Sequence, residues 1–232
     1  MNTLLECRDL TKRYGPLTAL DHVSFSLSSG RIVGLLGPNG SGKTTLLKLA
    51  NGLLVPTSGQ ILIEGIAPGP ETKSMVSYLP DAQYLPDWMD IATLLTFFGD
   101  FFADFDRAKA EEMLANLHLS PAASLKTLSK GNKEKVQLIL AMSRLAKIYF
   151  LDEPIGCVDP AARDYIMHTI ISNYSEDALV LISTHLIADI ERILDEAVFI
   201  NDGHIISHRT VDDIRETEGK SVDEYFREVF RC

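Results

Sequence analysis

Gly37-Pro38-Asn39-Gly40-Ser41-Gly42-Lys43-Thr44-Thr45 is the stretch on which the reading of this chain turns. It follows an apolar run, Ile32 to Leu36, and opens an apolar pattern at helical spacing from Leu46 to Leu54. Strand, glycine-rich loop and helix make the context that a phosphate-binding loop requires. Glycines let backbone N–H groups converge on phosphate oxygens with no Cβ in the way. The helix beginning near Lys43 points the positive end of its dipole at the same place. Lys43 is placed to reach β- and γ-phosphates, and the Thr44 hydroxyl to hold Mg²⁺. A glycine-rich turn before a core helix would not explain why Lys and Thr stand there together.

The rest of the composition narrows the class. The 232 residues are 46% hydrophobic, enough for a sizeable core. The net charge of −10 disfavours nucleic acid as a partner, because phosphate-backbone binding rests on Lys and Arg. No uncharged apolar run of about 18 residues or more occurs, so no membrane span is expected. Residues Met1 to Glu6 have neither the basic start nor the apolar core of a signal peptide. Cys7, Cys157 and Cys232 are scattered, lack zinc spacing and read as reduced thiols of a cytosolic protein.

Outward from the loop, Leu4 to Leu10 and Val23 to Leu27 read as strands, with Lys12-Arg13-Tyr14-Gly15 as a turn between them. Tyr14 is either a surface turn residue or a flat ring on which a nucleotide base can stack. Gln60 to Gly65 and Met75 to Leu79 read as further strands, and Pro68-Gly69-Pro70 as a loop. From about 88 to 146 the apolar spacing is helical throughout. Phe97, Phe98, Phe101, Phe102 and Phe105 crowd one segment of it; they form a local core, or some rings face a partner. Leu128-Ser129-Lys130-Gly131-Asn132 precedes a helical run from Lys133 to Lys147. Ser129 and Gly131 can cap that helix or present a hydroxyl and bare N–H groups to an anion.

Ile148 to Leu151 is an apolar strand ending in Asp152-Glu153-Pro154. Two carboxylates at the carboxyl end of a buried strand are costly unless they bind something. They are either turn residues capping the next helix or, beside a phosphate loop, a pair for Mg²⁺ coordination and water activation. Asp159 precedes Pro160 at a helix start, as an N-cap and a functional contact. Leu179 to Thr184 is a buried-strand pattern with His185 at its end. Asp202-Gly203 marks a hairpin, and residues 211–230 read as two short helices.

Together these motifs resemble the nucleotide-binding subunit of ATP-binding cassette (ABC) transporters, from about residue 4 to residue 210, and among them bacterial drug and bacitracin-type exporter cassettes. Residues 37–45 look like an intact Walker A motif, and 128–132 stand where the family carries Leu-Ser-Gly-Gly-Gln. Ile148 to Glu153 resembles Walker B with the catalytic glutamate. Asp159 matches the D-loop, His185 the switch histidine and Tyr14 the base-stacking aromatic. The resemblance implies an α/β P-loop NTPase fold: a RecA-like core, an antiparallel β subdomain and an α-helical signature subdomain. It implies one domain over 1–232, a helical insertion at about 85–146 and a helical tail at about 211–232. ATP, held by Gly37 to Thr45, would lie between this chain and a second cassette whose Ser129 and Gly131 face its γ-phosphate. Glu153 would act on the attacking water, His185 would touch the γ-phosphate, and Thr44 and Asp152 would serve Mg²⁺. A separate transmembrane permease is the implied second partner, which would place the chain on the cytoplasmic face of a bacterial membrane.

Two positions depart from the pattern. Asp81 stands near the family's Q-loop glutamine, with Gln83 two residues on, and could approach Mg²⁺. Lys130-Gly131-Asn132 replaces Gly-Gly-Gln, which keeps Ser129 and Gly131 and adds a cation. Competent hydrolysis is expected, coupled to transport by a second chain. A soluble ATPase acting on ribosomes or DNA would call for paired cassettes, a coiled coil or basic charge. A cassette that binds ATP without hydrolysing it is the third reading; Glu153 and His185 argue against it.

Overall fold

The computed structural model describes residues 2–156 and 160–230. The first half of the chain runs β1 (Thr3–Tyr14), β2 (Leu17–Ser28), β3 (Arg31–Leu36), α1 (Lys43–Ala50), β4 (Ser58–Ile63), α2 (Pro70–Lys73) and β5 (Val76–Leu79). Then follow α3 (Ile91–Phe101), α4 (Arg107–Asn116), a 3₁₀ turn (Leu125–Thr127) and α5 (Lys130–Met142). The second half runs β6 (Ile148–Asp152), α6 (Pro160–Asn173), β7 (Leu179–Thr184), α7 (Ile187–Ile190), β8 (Glu196–Asn201), β9 (His204–Thr210), α8 (Val211–Glu218) and α9 (Val222–Val229).

The strands form two sheets. One is antiparallel, in the order β2-β1-β4; the other has the order β5-β6-β7-β3-β8-β9 and is parallel except for the terminal hairpin β8-β9. In β6 and β7 all residues are buried, the continuous apolar run expected of strands covered on both faces. One apolar cluster lies between the two sheets and α1, and includes Leu5, Leu20, Leu46 and Phe150. A second lies on the other face of the large sheet, under α5, α6 and the tail helices α8 and α9. The helical segment has its own core of Ile91, Leu94, Leu95, Leu114, Leu125 and Ile139.

Four local expectations are corrected. Tyr14 ends β1 instead of sitting in a turn, because β1 and β2 stay paired as far as Tyr14 and Leu17. Pro70 opens a short helix, its ring suiting a position where no N–H bond is needed. The helix predicted from Lys133 begins at Lys130, since the Ser129 hydroxyl accepts the Asn132 N–H at 3.3 Å. It stops at Met142, where Arg144 turns inward and the Ser143 carbonyl accepts the Asp106 N–H at 2.7 Å. The aromatic segment divides by face: Phe98 is buried in the helical core, while Phe97 and Phe101 are exposed and stack with ring centres 4.4 Å apart.

Candidate functional site

The carboxyl ends of three strands stand level. Leu36 of β3 pairs with Thr184 of β7, and Asp152 of β6 pairs with Ser183. This is the edge at which open α/β sheets bind ligands. Residues 37–42 lead from β3 into α1, whose first residue is Lys43. Gly42 has φ +110°, and a Cβ there would lie 2.6 Å from the Ala19 carbonyl oxygen. A side chain at Gly42 would therefore push the loop off β2. At Gly40 a Cβ would meet nothing within 4 Å, so the bare backbone there serves no contact of the chain itself.

Lys43 is only 6% exposed. Its Nζ donates to the Gly37 carbonyl at 2.8 Å and to that of Pro38 at 3.1 Å. It also lies 3.8 Å from Glu153 Oε1. Burial pulls the ammonium below the ordinary lysine range, with Glu153 and Asp152 opposing that shift. An ammonium has three protons, and two are committed to loop carbonyls. The Ser41 hydroxyl is buried with no partner. An anion seated over the loop would give the Ser41 hydroxyl the partner it lacks.

Asp152 is 1% exposed. Its Oδ1 accepts from Thr44 Oγ1 at 3.2 Å and from the Ser183 hydroxyl. Its Oδ2 is buried without a partner. Burial raises its carboxyl above the usual range; Ser183 and Thr44 counter this, while Asp81 and Glu153 add to it. An orphaned carboxylate oxygen beside a threonine hydroxyl suits a hard cation. Among the described residues no group of three or more His, Cys, Asp or Glu could hold a metal unaided. A cation here would complete its shell with phosphate oxygens and water, as Mg²⁺ does.

Glu153 follows with φ +49°, a left-handed conformation that costs a non-glycine residue roughly 1–3 kcal/mol. The turn brings its carboxylate over the loop. Glu153 Oε2 accepts from Thr184 Oγ1 at 3.0 Å, and both carboxylate oxygens lie 3.1 Å from His185 Nδ1. Lys43, Glu153, Thr184 and His185, drawn from three segments far apart in sequence, thus meet around one carboxylate. Pro38, Asn39 and His185 line a cavity of about 390 Å³ together with Phe226 of α9 and Phe230 just after that helix.

The remaining residues singled out in the sequence fall elsewhere. Tyr14 is exposed at the end of β1, with Lys12 Nζ 5.2 Å from its ring centre. Asp81 opens on a separate cavity that also reaches Asp152 and Glu153. Ser129 and Gly131 stand at the start of α5, and among the described residues no hydrogen bond links them to residues 37–45. Asp159 lies outside the described residues. Cys7 is buried in the apolar core, and burial raises its thiol far above the usual range, so it is inert.

Residues 20–156 match the sequence profile of the family described as ABC transporter. The chain belongs to the ABC transporter family. It is 32% identical over 224 residues to the probable multidrug ABC transporter ATP-binding protein YbhF of Escherichia coli K12, a match covering 92% of this chain and 38% of that longer protein. It is 30% identical to the SkfA peptide export ATP-binding protein SkfE of Bacillus subtilis, over 98% of this chain and 96% of that one. Among solved structures, an ATP-binding subunit of an ABC transporter superimposes with a TM-score of 0.87 at 30% identity, over 98% of this chain and all of that one. The α/β cassette fold expected from the motifs is therefore the fold observed. No helix among the described residues is long and apolar enough to cross a membrane.

Ser183 and Thr184, which hold the two carboxylates, carried no assignment from the sequence. The signal was available: two hydroxyl residues end the otherwise aliphatic strand Leu179 to Ile182, and all of β7 is buried. A buried hydroxyl needs a partner, and here the partners are Asp152 and Glu153.

Proposed function

We propose that this chain is the ATP-hydrolysing subunit of an ABC exporter whose membrane-spanning part is a separate polypeptide. The observation that carries this is the Glu153 carboxylate, fixed by Thr184 and His185 at 3.0 and 3.1 Å and 3.8 Å from the loop lysine. Residues 37–45 would cradle the triphosphate of ATP, with Tyr14 against the base. Thr44 and Asp152 would hold Mg²⁺, which would supply charge neutralisation on the triphosphate. Glu153 accepts a proton from water as that water's oxygen bonds to the γ-phosphorus. The bond between γ-phosphorus and the β–γ bridging oxygen breaks, giving ADP and phosphate. Lys43 balances charge on the transferred group and His185 contacts it, so the catalysis is positioning and electrostatics rather than covalent chemistry.

Ser129 and Gly131 would serve the ATP of a second copy of the chain, since both halves of a composite site are present and lie apart within one molecule. An apolar cavity of about 410 Å³ between α1, Pro80 and the rings of Tyr84, Phe98 and Phe102 would receive a cytoplasmic helix of the permease. That assembly would sit on the inner face of the membrane. Export is favoured because the named relatives are described as multidrug and peptide-export ATP-binding proteins.

The test is Mg²⁺-ATP turnover by the assembled complex. Glu153→Gln should lower it by roughly 100-fold or more, the scale of a general base, while nucleotide still binds. Unchanged turnover would remove Glu153 from the reaction.

A further inference from the structure

The two departures from the family motifs, Asp81 and Lys130, are 49 positions apart in sequence, yet the fold puts both on the wall of one cavity. That cavity, about 300 Å³, lies between Pro80 to Gln83, the first turns of α5, and Asp152 to Pro154. Asp81, Glu134, Asp152 and Glu153 all open on it, and Lys130 is the cation among its lining residues. Lys130 Nζ is 3.8 Å from Glu134 Oε1. Glu134 Oε2 is buried without a hydrogen-bond partner. One turn further, Gln137 is 2% exposed; its Nε2 donates to the Ala82 carbonyl at 3.4 Å, and its Oε1 has no partner. Among the described residues, the hydrogen bond from Gln137 to Ala82 joins the wall from 80 to 83 to α5, and four carboxylates face the cavity beside it.

We propose that Lys130 is a positioning residue whose ammonium, shared between Glu134 and Asp81, draws the segment Pro80–Gln83 onto the start of α5, so that the two departures offset each other. An uncharged side chain at position 81 would need no such counter-charge. An aspartate there without Lys130 would leave Asp81 and Glu134 facing one cavity with no cation among its lining residues, and like charges repel. Burial already holds the Glu134 carboxyl above its ordinary range, with Asp81 reinforcing the shift and Lys130 opposing it. The arrangement ties the wall of the apolar cavity at Pro80 and Tyr84 to α5, which Ser129 caps. The effect on turnover rests on the ATPase reading above; the ionic link does not.

A double-mutant cycle on the full chain decides it. Thermal unfolding is measured without nucleotide for wild type, Lys130→Met, Asp81→Asn and the double variant, at low salt and at about 1 M salt. Lys130 is mostly exposed, so the expected shifts are small. Lys130→Met should lower Tm by roughly 1–3 °C. Adding Asp81→Asn should recover most of that loss, and the non-additivity should vanish at high salt, where the Debye length falls to about 3 Å. Lys130→Arg should behave as wild type. In the assembled complex, Lys130→Met should lower kcat several-fold with KM for ATP unchanged, and Lys130→Arg should keep the wild-type rate. Additive or salt-independent shifts would overturn the proposal, as would a Lys130 effect seen only when nucleotide is bound. If no variant, wild type included, turns over ATP, the ATPase reading falls while the thermal cycle still decides the ionic link.

Discussion

Thr184 holds the Glu153 carboxylate on one side while its hydroxyl oxygen accepts the Leu186 N–H at 3.1 Å, so one buried hydroxyl fixes both the glutamate and the chain just past His185. A hydrogen bond to a charged group is worth about 1.5–3 kcal/mol, because losing it strands a carboxylate oxygen. Thr184→Val keeps shape and removes the hydroxyl. It should cut turnover of the assembled complex by roughly 10-fold or more, at about 1.4 kcal/mol per decade, with nucleotide binding retained. Thr184→Ser should restore most of the rate, and a Val variant as fast as wild type would dismiss the residue. Glu153, Asp152 and Lys43 were legible in the sequence because charged residues at the end of an apolar strand or in a glycine loop have few other reasons to be there. Thr184 was passed over, although Ser183 and Thr184 together end an aliphatic run, because threonine also satisfies strand preference whatever its hydroxyl does.

At the scale of elements, strands were readable, though β1 and β2 run well past the expected Leu4–Leu10 and Val23–Leu27, and the helical segment was readable as helical but not in its joints. Arg144 fell within a run that looked helical through Lys147. In the fold it leaves α5 and donates to Asp104 at 2.9 and 3.0 Å, to the Val76 carbonyl at 2.7 Å and to that of Ser74 at 3.1 Å. Its guanidinium carbon also lies 3.9 Å from the centre of the Phe102 ring. One buried arginine thus pins the end of α5 to the start of β5 and to the loop before α4. Arg144→Met should destabilise the chain by roughly 2–4 kcal/mol, less than a fully buried pair because Asp104 is partly exposed. At about 2–4 °C per kcal/mol for this size, Tm should fall by roughly 5–15 °C. Arg144→Lys should rescue little, since an ammonium cannot reach three acceptors in one plane. A Tm within 2 °C of wild type, by the same scale, would show the contact to be incidental. The sequence could not mark this residue, because a helical pattern records which face is apolar and not where the backbone turns aside.

For the whole molecule, the phosphate loop and the start of α5 lie on separate parts of one chain, and the composite-site reading requires two chains. With saturating Mg²⁺-ATP, the Glu153→Gln chain should run in light scattering at twice its 25.7 kDa, and adding Lys43→Ala should return it to the single mass. A single mass under all these conditions would rule out self-pairing. The sequence by itself determined the family, the glycine loop between β3 and α1 and most of the order of strands and helices, because these depend on local chemistry: glycines in a strand-to-helix turn, apolar periods, carboxylates at strand ends. Only the tertiary structure decided that Asp152 leans on Thr44 and Ser183, that Glu153 sits between Lys43, Thr184 and His185, that Arg144 joins the helical segment to the sheet, and that Asp81 and Lys130 share a cavity. Each of these joins residues distant in sequence, and pairing of that kind is set by strand order and by which face each helix buries, information that no single segment contains.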